Sequence, residues 1–311
     1  GNCIGKGQFG SVYRALNLET GQMVAIKRVY ILDKDEKEVE SLMQEVALLE
    51  KLTHTNVVKY EGFIKGDGFL NIVLEYIENG SLLTTLKSFG AFPEKLVASY
   101  TVKILEGLVY LHEQDVAHCD LKAANLLTTK DGNVKLSDFG VSLNLQLVES
   151  EIGEMIAGTP NWMAPEVIEL KGASTASDIW SLGCTIVELL TGKPPYWGLL
   201  PMTTLFRIVE DDCPPLPDDI SPELRDFLLK CFCKEPEGRP TAKELLTFPW
   251  LQEHVHARVS DARISCMAVS INSNMRIYSR CVHAHRPREQ AARHGHSKHH
   301  RATRAACRSR C

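Results

Sequence analysis

The chain of 311 residues contains no run of ~18 or more consecutive apolar residues, the minimum for a membrane-spanning helix. Its N-terminus has no basic segment followed by an apolar stretch, so no secretory leader is expected either. On these grounds the protein reads as intracellular and not membrane-inserted. The 10 cysteines lack the regular spacing of a small disulfide framework, and Cys184, Cys231 and Cys233 sit in apolar surroundings, as buried thiols do. Reduced cysteines in the cytoplasm are expected. An internal repeat is absent. The chain also lacks an initiating methionine. It opens on Gly1, only a few residues before a glycine loop that most of a strand should precede, so the front of the first strand is expected to be missing.

What is present is ordinary for a folded enzyme, with 44% apolar and 24% charged residues. Charge is unevenly spread. Residues 254–311 hold 12 Lys and Arg against only Asp261 and Glu289, so a tail of +10 within a net of −4 leaves −14 for residues 1–253. Eight of the 11 histidines and four cysteines also fall in the tail, which shows no sustained helical or strand period. The domain boundary is placed near Glu253. Few aromatics interleave the tail's charges, which disfavours nucleic-acid binding, and Cys266, Cys281, Cys307 and Cys311 fit no standard zinc-ligand spacing. The tail is expected to be a disordered extension or a mistranslated stretch.

Between Ile4 and Tyr30 the pattern predicts a strand, a glycine turn, a strand and a third strand over 23–29. A helix is predicted over 38–52, where Val39, Leu42, Met43, Val46 and Leu49 share one face. Strands over 57–64 and 69–76 follow, then a turn at Glu78-Asn79-Gly80-Ser81. Beyond it, helices are predicted over 96–114, 178–190, 201–210, 222–230 and 242–246. The fold class is therefore α+β, with a small antiparallel-sheet lobe carrying one helix (residues 1–76) and a mainly helical lobe (80–253). The two are joined near 75–80.

The run Gly5-Lys6-Gly7-Gln8-Phe9-Gly10-Ser11-Val12 fits a loop whose missing side chains let backbone N–H groups approach phosphate oxygens. A glycine-rich hairpin with no ligand fits the same run. Lys27 ends the apolar strand Val24-Ala25-Ile26-Lys27 and needs water or an anion, and Glu45 on the following helix is the natural partner. Within His118-Cys119-Asp120-Leu121-Lys122-Ala123-Ala124-Asn125, an Asp, a Lys and an Asn crowd between apolar runs. Burying three such groups without a role would be costly. A carboxylate to orient a hydroxyl, a cation for a moving phosphate and an amide for a metal make a catalytic loop. Asp138 in Ser137-Asp138-Phe139-Gly140 supplies a second metal ligand, for Mg bridging phosphates.

In this order, and with Ala164-Pro165-Glu166 following, these motifs resemble the signature set of eukaryotic protein kinases over residues 1 to about 251. The resemblance implies a two-lobed kinase fold and transfer of the γ-phosphate of ATP, with Mg, to protein hydroxyls. It implies that Asp120 is the catalytic base, Lys122 the phosphate-stabilising cation, Asn125 and Asp138 the metal ligands, and Lys27 with Glu45 the active-state ion pair. Glu166 should pair with Arg239, and Asp178 should anchor the catalytic loop. For the nucleotide it implies Gly5, Gly7 and Gly10 over the phosphates, with Ile4, Val12 and Ala25 as roof of the adenine pocket. Leu127 becomes its floor, Leu74 the gatekeeper, and Glu75 and Ile77 part of the hinge.

Lys122, two residues after Asp120, and Gly158-Thr159-Pro160-Asn161-Trp162-Met163 are similar to serine/threonine rather than tyrosine kinases. The whole pattern resembles the MAP-kinase-kinase-kinase branch, within it the fungal septation-initiation kinases and the plant MAP-kinase-kinase-kinase epsilon group. That implies a cytokinesis cascade with a downstream kinase as substrate, a small-GTPase or scaffold activator, and placement at spindle pole bodies or the division site. One residue departs: Cys119 stands where most such kinases have an arginine that pairs with a phosphorylated activation loop. Less dependence on phosphorylation at Ser150 or Thr159 is the expectation, unless another basic residue substitutes. A catalytically silent scaffold is the alternative reading, and it would normally show loss at Lys27, Asp120 or Asp138.

Overall fold

Strand β1 (Cys3–Gly7), β2 (Gly10–Leu16), β3 (Met23–Tyr30), β4 (Tyr60–Gly66) and β5 (Phe69–Glu75) form an antiparallel sheet in the order β1-β2-β3-β5-β4. These come from a computed structural model that describes residues 1–7, 10–31, 43, 49–66, 68–138 and 160–252. Cross-strand partners share a face, and the register sets Val12 opposite Lys27 and Ala25 opposite Leu74. Ala25, Lys27, Val29, Leu70, Ile72 and Leu74 are all buried, so the alternation of β3 and β5 defines an inner face. Of the helix expected over 38–52, Met43 and Leu49 are helical, and Leu49 and Leu52 are buried. Glu45 lies outside the described residues, as does the expected tail.

Strand β4 starts at Tyr60 rather than at residue 57. Val57 instead forms a parallel bridge with Leu136: Val58 N–H donates to Leu136 O (2.9 Å) and Leu136 N–H to Asn56 O (2.9 Å). The buried Asn56 amide reinforces this by donating to Asn133 Oδ1 and Val134 O, both at 2.9 Å. A β-bulge at Tyr60/Gly62, with Gly62 at φ 146, then turns the chain into the sheet.

The second lobe adds α1 (Leu82–Phe89), α2 (Glu94–Glu113), a 3-10 turn (Ala123–Asn125), β6 (Leu126–Thr128) and β7 (Val134–Leu136). Then follow α3 (Pro165–Ile168), α4 (Thr175–Thr191), α5 (Pro201–Glu210), α6 (Pro222–Cys231) and α7 (Ala242–Leu245). Helix α1 was not expected. Its start signal is Ser81, whose hydroxyl accepts from Thr84 N–H, and Leu82 and Leu86 are its buried residues. Helix α4 starts three residues before the predicted position because Ser174 and Ser177 form a reciprocal capping box, and Gly192 in the left-handed region ends it. Every residue from Ser177 to Leu189 of α4 is buried, so this helix is the axis of the lobe.

Helix α2 crosses β7 at Gly107, where an added Cβ would lie 2.8 Å from both Asn56 O and Leu136 Cδ1. Near the other end of the lobe, Arg239 makes a two-pronged ion pair with Glu166 at 2.8 Å on each prong. Ser177 Oγ adds a hydrogen bond to Glu166 Oε1 (2.7 Å), and the guanidinium lies over the Trp180 ring. Arg239 also donates to Cys233 O, Ala176 O and Lys234 O, so the buried charge is fully satisfied.

Two measurements test this packing. Gly107→Ala is expected to lower unfolding free energy by ~1–3 kcal/mol in a denaturant titration, the usual cost of overpacking. Burial pushes the Glu166 carboxyl up, but Arg239 and Ser177 outweigh it and hold its pKa below the ordinary 4.5. A carboxylate whose folded pKa is depressed contributes stability above the unfolded pKa and loses it as pH falls through the folded one. Glu166→Gln should therefore be less stable than the wild type by ~3 kcal/mol at pH 7. Unfolding followed from pH 7 to pH 3 should show that gap narrowing below the ordinary carboxylate pKa.

Candidate active site

The β6–β7 hairpin brings the two candidate metal ligands together. Leu126 pairs with Leu136, and just past that pair Ser137 donates to Asn125 O through both its N–H (2.9 Å) and its hydroxyl (3.0 Å). Asp138 follows at φ 59, a left-handed conformation that turns its carboxylate out of the strand direction. Lys27, on the inner face of β3 and 7% exposed, reaches across to place Nζ 2.6 Å from Asp138 Oδ1. The expected Lys27–Glu45 pair lies outside the described residues.

On the other side of the hairpin, Asn125 Nδ2 donates to Asp120 O (2.8 Å) and Asp120 Oδ2 (2.7 Å). The amide thereby presents its oxygen end away from Asp120. Lys122 Nζ lies 2.7 Å from Asp120 Oδ1. Two polar groups result, Lys27 with Asp138 and Asn125 with Asp120 and Lys122, and Ser137 joins them through its hydroxyl, which lies 3.0 Å from Asn125 O and 3.5 Å from Asp138 Oδ2.

That loop is held from below by α4. Asp178, fully buried, accepts N–H bonds from His118 (Oδ2, 2.8 Å) and Cys119 (Oδ1, 2.9 Å), and His112 Nε2 lies 2.8 Å from Oδ2. Cys119 sits at φ 64, a strained position for a residue with a Cβ, which the bond to Asp178 stabilises. Burial, reinforced by Asp178 and Asp120, pushes the Cys119 thiol up to about 12, so it is neutral and offers no charge to a phosphate. Burial likewise pushes His118 below the ordinary histidine range.

The candidate nucleotide-binding residues distribute along the sheet and hinge. Val12, Ala25 and Leu74 share the inner face with Lys27, and Leu127 on β6 is half-buried opposite Lys135. Ile4 is 50% exposed at the sheet edge. In the β1–β2 hairpin Gly7 pairs with Gly10. At Gly10 (φ 139) an added Cβ would fall 1.9 Å from Arg28 O, so only glycine fits. Gln8, Phe9, Phe139, Gly140, Ser150 and Thr159 lie outside the described residues. Of the candidate hinge residues, Glu75 keeps its carboxylate on Lys59 N–H and Lys135 Nζ, both at 2.8 Å, and Ile77 is buried.

Sequence reasoning missed three α4 residues that grip neighbouring loops. Thr185 Oγ1 donates to Leu121 O (3.3 Å), Ser181 Oγ to Trp162 O (2.7 Å), and Glu188 accepts from Ala123 N–H and Trp162 Nε1–H, both at 3.0 Å. A polar residue at every third or fourth position of an otherwise apolar helix was the available signal.

The oxygen donors fit a divalent cation shared with phosphates. Asp138 carboxylate and Asn125 amide oxygen are hard ligands, and among the described residues no group of three His, Cys, Asp or Glu makes a protein-only metal cage. Magnesium usually takes one or two carboxylates and completes its shell with phosphate and water.

A sequence model described as the protein kinase domain matches residues 1–251. The chain is 57% identical over 263 residues to "Cytokinesis protein sepH" of Aspergillus niger, covering 84% of this chain and 19% of the relative. It is 53% identical over 268 residues to "MAP3K epsilon protein kinase 1" of Arabidopsis thaliana, covering 85% and 19%. A "probable serine/threonine-protein kinase" of Dictyostelium discoideum is 47% identical over 274 residues, covering 86% and 43%. The chain thus spans about a fifth of the length of the first two. With the profile covering most of its length and the polar groups of that fold assembled, this chain belongs to the protein kinase family, whose members use ATP and a divalent metal.

Proposed function

We propose that the chain is the catalytic domain of a serine/threonine protein kinase that transfers the γ-phosphate of ATP, with Mg, to hydroxyls of other proteins. The observation that carries this reading is the pairing of Lys27 with Asp138 and of Asp120 with Asn125 and Lys122, the two groups joined through Ser137. A silent scaffold would be expected to have lost one of them. Asp138 and Asn125 hold the cation, which neutralises charge on the transferring group when bound. Lys27, now on Asp138, is placed to hold the α- and β-phosphates. Asp120 orients the acceptor hydroxyl and takes its proton as the new oxygen–phosphorus bond forms and the bond to the β-phosphate oxygen breaks, releasing ADP. Lys122, on the other Asp120 oxygen, opposes the charge of the phosphoryl group in flight.

The relatives' names extend the reading to a cytokinesis or septation cascade, and the same proposal takes a downstream kinase as acceptor and a small GTPase or scaffold as activator. Placement at the division site or spindle pole body belongs to the same proposal. Residues 1–253 form the catalytic domain and 254–311 an accessory tail. Among the described residues no helix is long and apolar enough to cross a membrane. The neutral Cys119 supports activity without activation-loop phosphorylation, because a thiol brings none of the positive charge an arginine would offer a phosphate.

Phosphate transfer from ATP and Mg to a generic basic protein tests both statements. The unphosphorylated 311-residue chain should transfer phosphate, and Asp138→Asn should lower the rate at least about 100-fold. A folded wild type that binds ATP yet transfers nothing would favour the scaffold reading. Activity that appears only after phosphorylation would overturn the role given to Cys119.

A further inference from the structure

The inner face of the sheet carries Lys27 and the core, while the outer face is partly exposed. Residues in register share a face, so Lys6, Ser11, Arg28, Asn71 and Ile64 form one row across β1, β2, β3, β5 and β4. Tyr13, Ile26 and Val73 form the next row. Tyr13, Ala15, Ile26, Arg28, Ile64 and Asn71 line a groove of about 420 Å³, within the size range of ligand sites. Ile64 is 60% exposed, and Tyr13, Ile26, Asn71 and Val73 are half-buried. The phosphate transfer proposed above uses none of the groove residues.

Arg28 is held in this groove by its neighbours. Its guanidinium carbon lies 5.3 Å from the centroid of the Tyr13 ring on β2 and 5.0 Å from that of the Phe69 ring on β5, the two strands flanking β3. Nε donates to Asn71 Oδ1 (2.9 Å), and Asn71 Nδ2 donates in turn to Ile64 O (3.3 Å). Among the described residues nothing bonds the Nη groups or pairs with the charge. A planar fork already fixed by stacking and by one hydrogen bond loses little freedom when it takes a carboxylate on its remaining N–H groups.

The charge around Arg28 has one sign. Lys6 is exposed in the same row, two strands away. Of the residues paired in register on this face Glu75 alone is acidic, and Lys59 N–H and Lys135 hold its carboxylate. Residues 1–253 sum to −14, so a cationic face runs against the charge of the domain as a whole. Phosphate recognition relies on clusters of arginine. One arginine beside Ile26 and Ile64 suits a carboxylate next to an aliphatic side chain instead.

We propose that the outer face of the sheet binds an acidic segment of a partner protein, with a carboxylate on Arg28 and a neighbouring aliphatic side chain against Ile26 and Ile64. The groove lies on the side of the sheet away from Lys27, so the partner and a nucleotide are held together.

The probe is a short peptide in which Glu alternates with Leu and Gly, titrated into the full chain. Residues 254–311 are basic and also attract such a peptide, so occupancy is read at the Ala15 and Ile26 amide resonances by ¹⁵N NMR. These should shift with a Kd below about 1 mM, and Gln in place of Glu in the peptide should weaken binding about tenfold. Arg28→Met keeps the apolar stem and removes the fork; it should weaken binding about tenfold, with Arg28→Lys in between. If Arg28→Met fails to fold, Ile64→Asp decides the matter. It alters an exposed side chain, sets a carboxylate in the groove and should also weaken binding about tenfold while ATP affinity stays within about twofold. Resonances that do not move up to about 1 mM peptide, or shifts that Arg28→Met and Ile64→Asp leave unchanged, would overturn the proposal. Binding at least about tenfold tighter with phosphoserine in place of Glu would overturn it in favour of a phosphate site. A dimer in sedimentation that Ile64→Asp dissolves would overturn it in favour of a second copy of this chain.

Discussion

The buried Asp178 carboxylate is the contact on which the arrangement of the site depends. A buried carboxylate is expensive unless it is hydrogen-bonded, and here two main-chain N–H groups and a histidine ring nitrogen lie on it. The geometry runs the other way as well. Cys119 adopts a left-handed conformation that costs a residue with a Cβ roughly 1–2 kcal/mol, and the charge-assisted bond from its N–H offsets that cost. These bonds to His118 and Cys119 fix the backbone that leads directly into Asp120.

Helix α4 extends this principle along its length. Asp178, Thr185 and Glu188 hold the loop 118–123 at three points, while Ser177, Ser181 and Glu188 hold the segment 162–166. These positions recur at helical spacing, so two loops of no regular structure acquire the rigidity of a buried helix. Arg239 closes the same unit by tying the chain after α6 to Glu166, with Trp180 of α4 as the surface on which its guanidinium lies.

The sheet lobe meets this unit through both backbone and charge. The bridge between 56–58 and Leu136 joins the approach to β4 with β7, and β7 leads directly to Asp138. Lys135 on β7 adds the Glu75 carboxylate and Val57 O, so the end of β5 and β7 share a cation. Lys27 supplies the remaining link from β3. These contacts tie the sheet to the strand that leads to Asp138.

Sequence alone determined the alternating inner face of β3 and β5, most of the long helices of the second lobe and the identities of the polar residues around Asp120 and Asp138. Period-two and helical patterns are local properties, and a cluster of charged and amide side chains between apolar runs needs a reason that composition cannot supply. Tertiary structure decided what those patterns leave open. The start of β4 moved to Tyr60 because Val57 found a partner 79 residues away in Leu136, and hydropathy does not distinguish one extended pairing from another. The roles of Ser181, Thr185 and Glu188 were invisible for the same reason. A polar side chain on a buried helix announces that it must be satisfied, but only the folded chain brings Ala123 and Trp162 to one carboxylate oxygen.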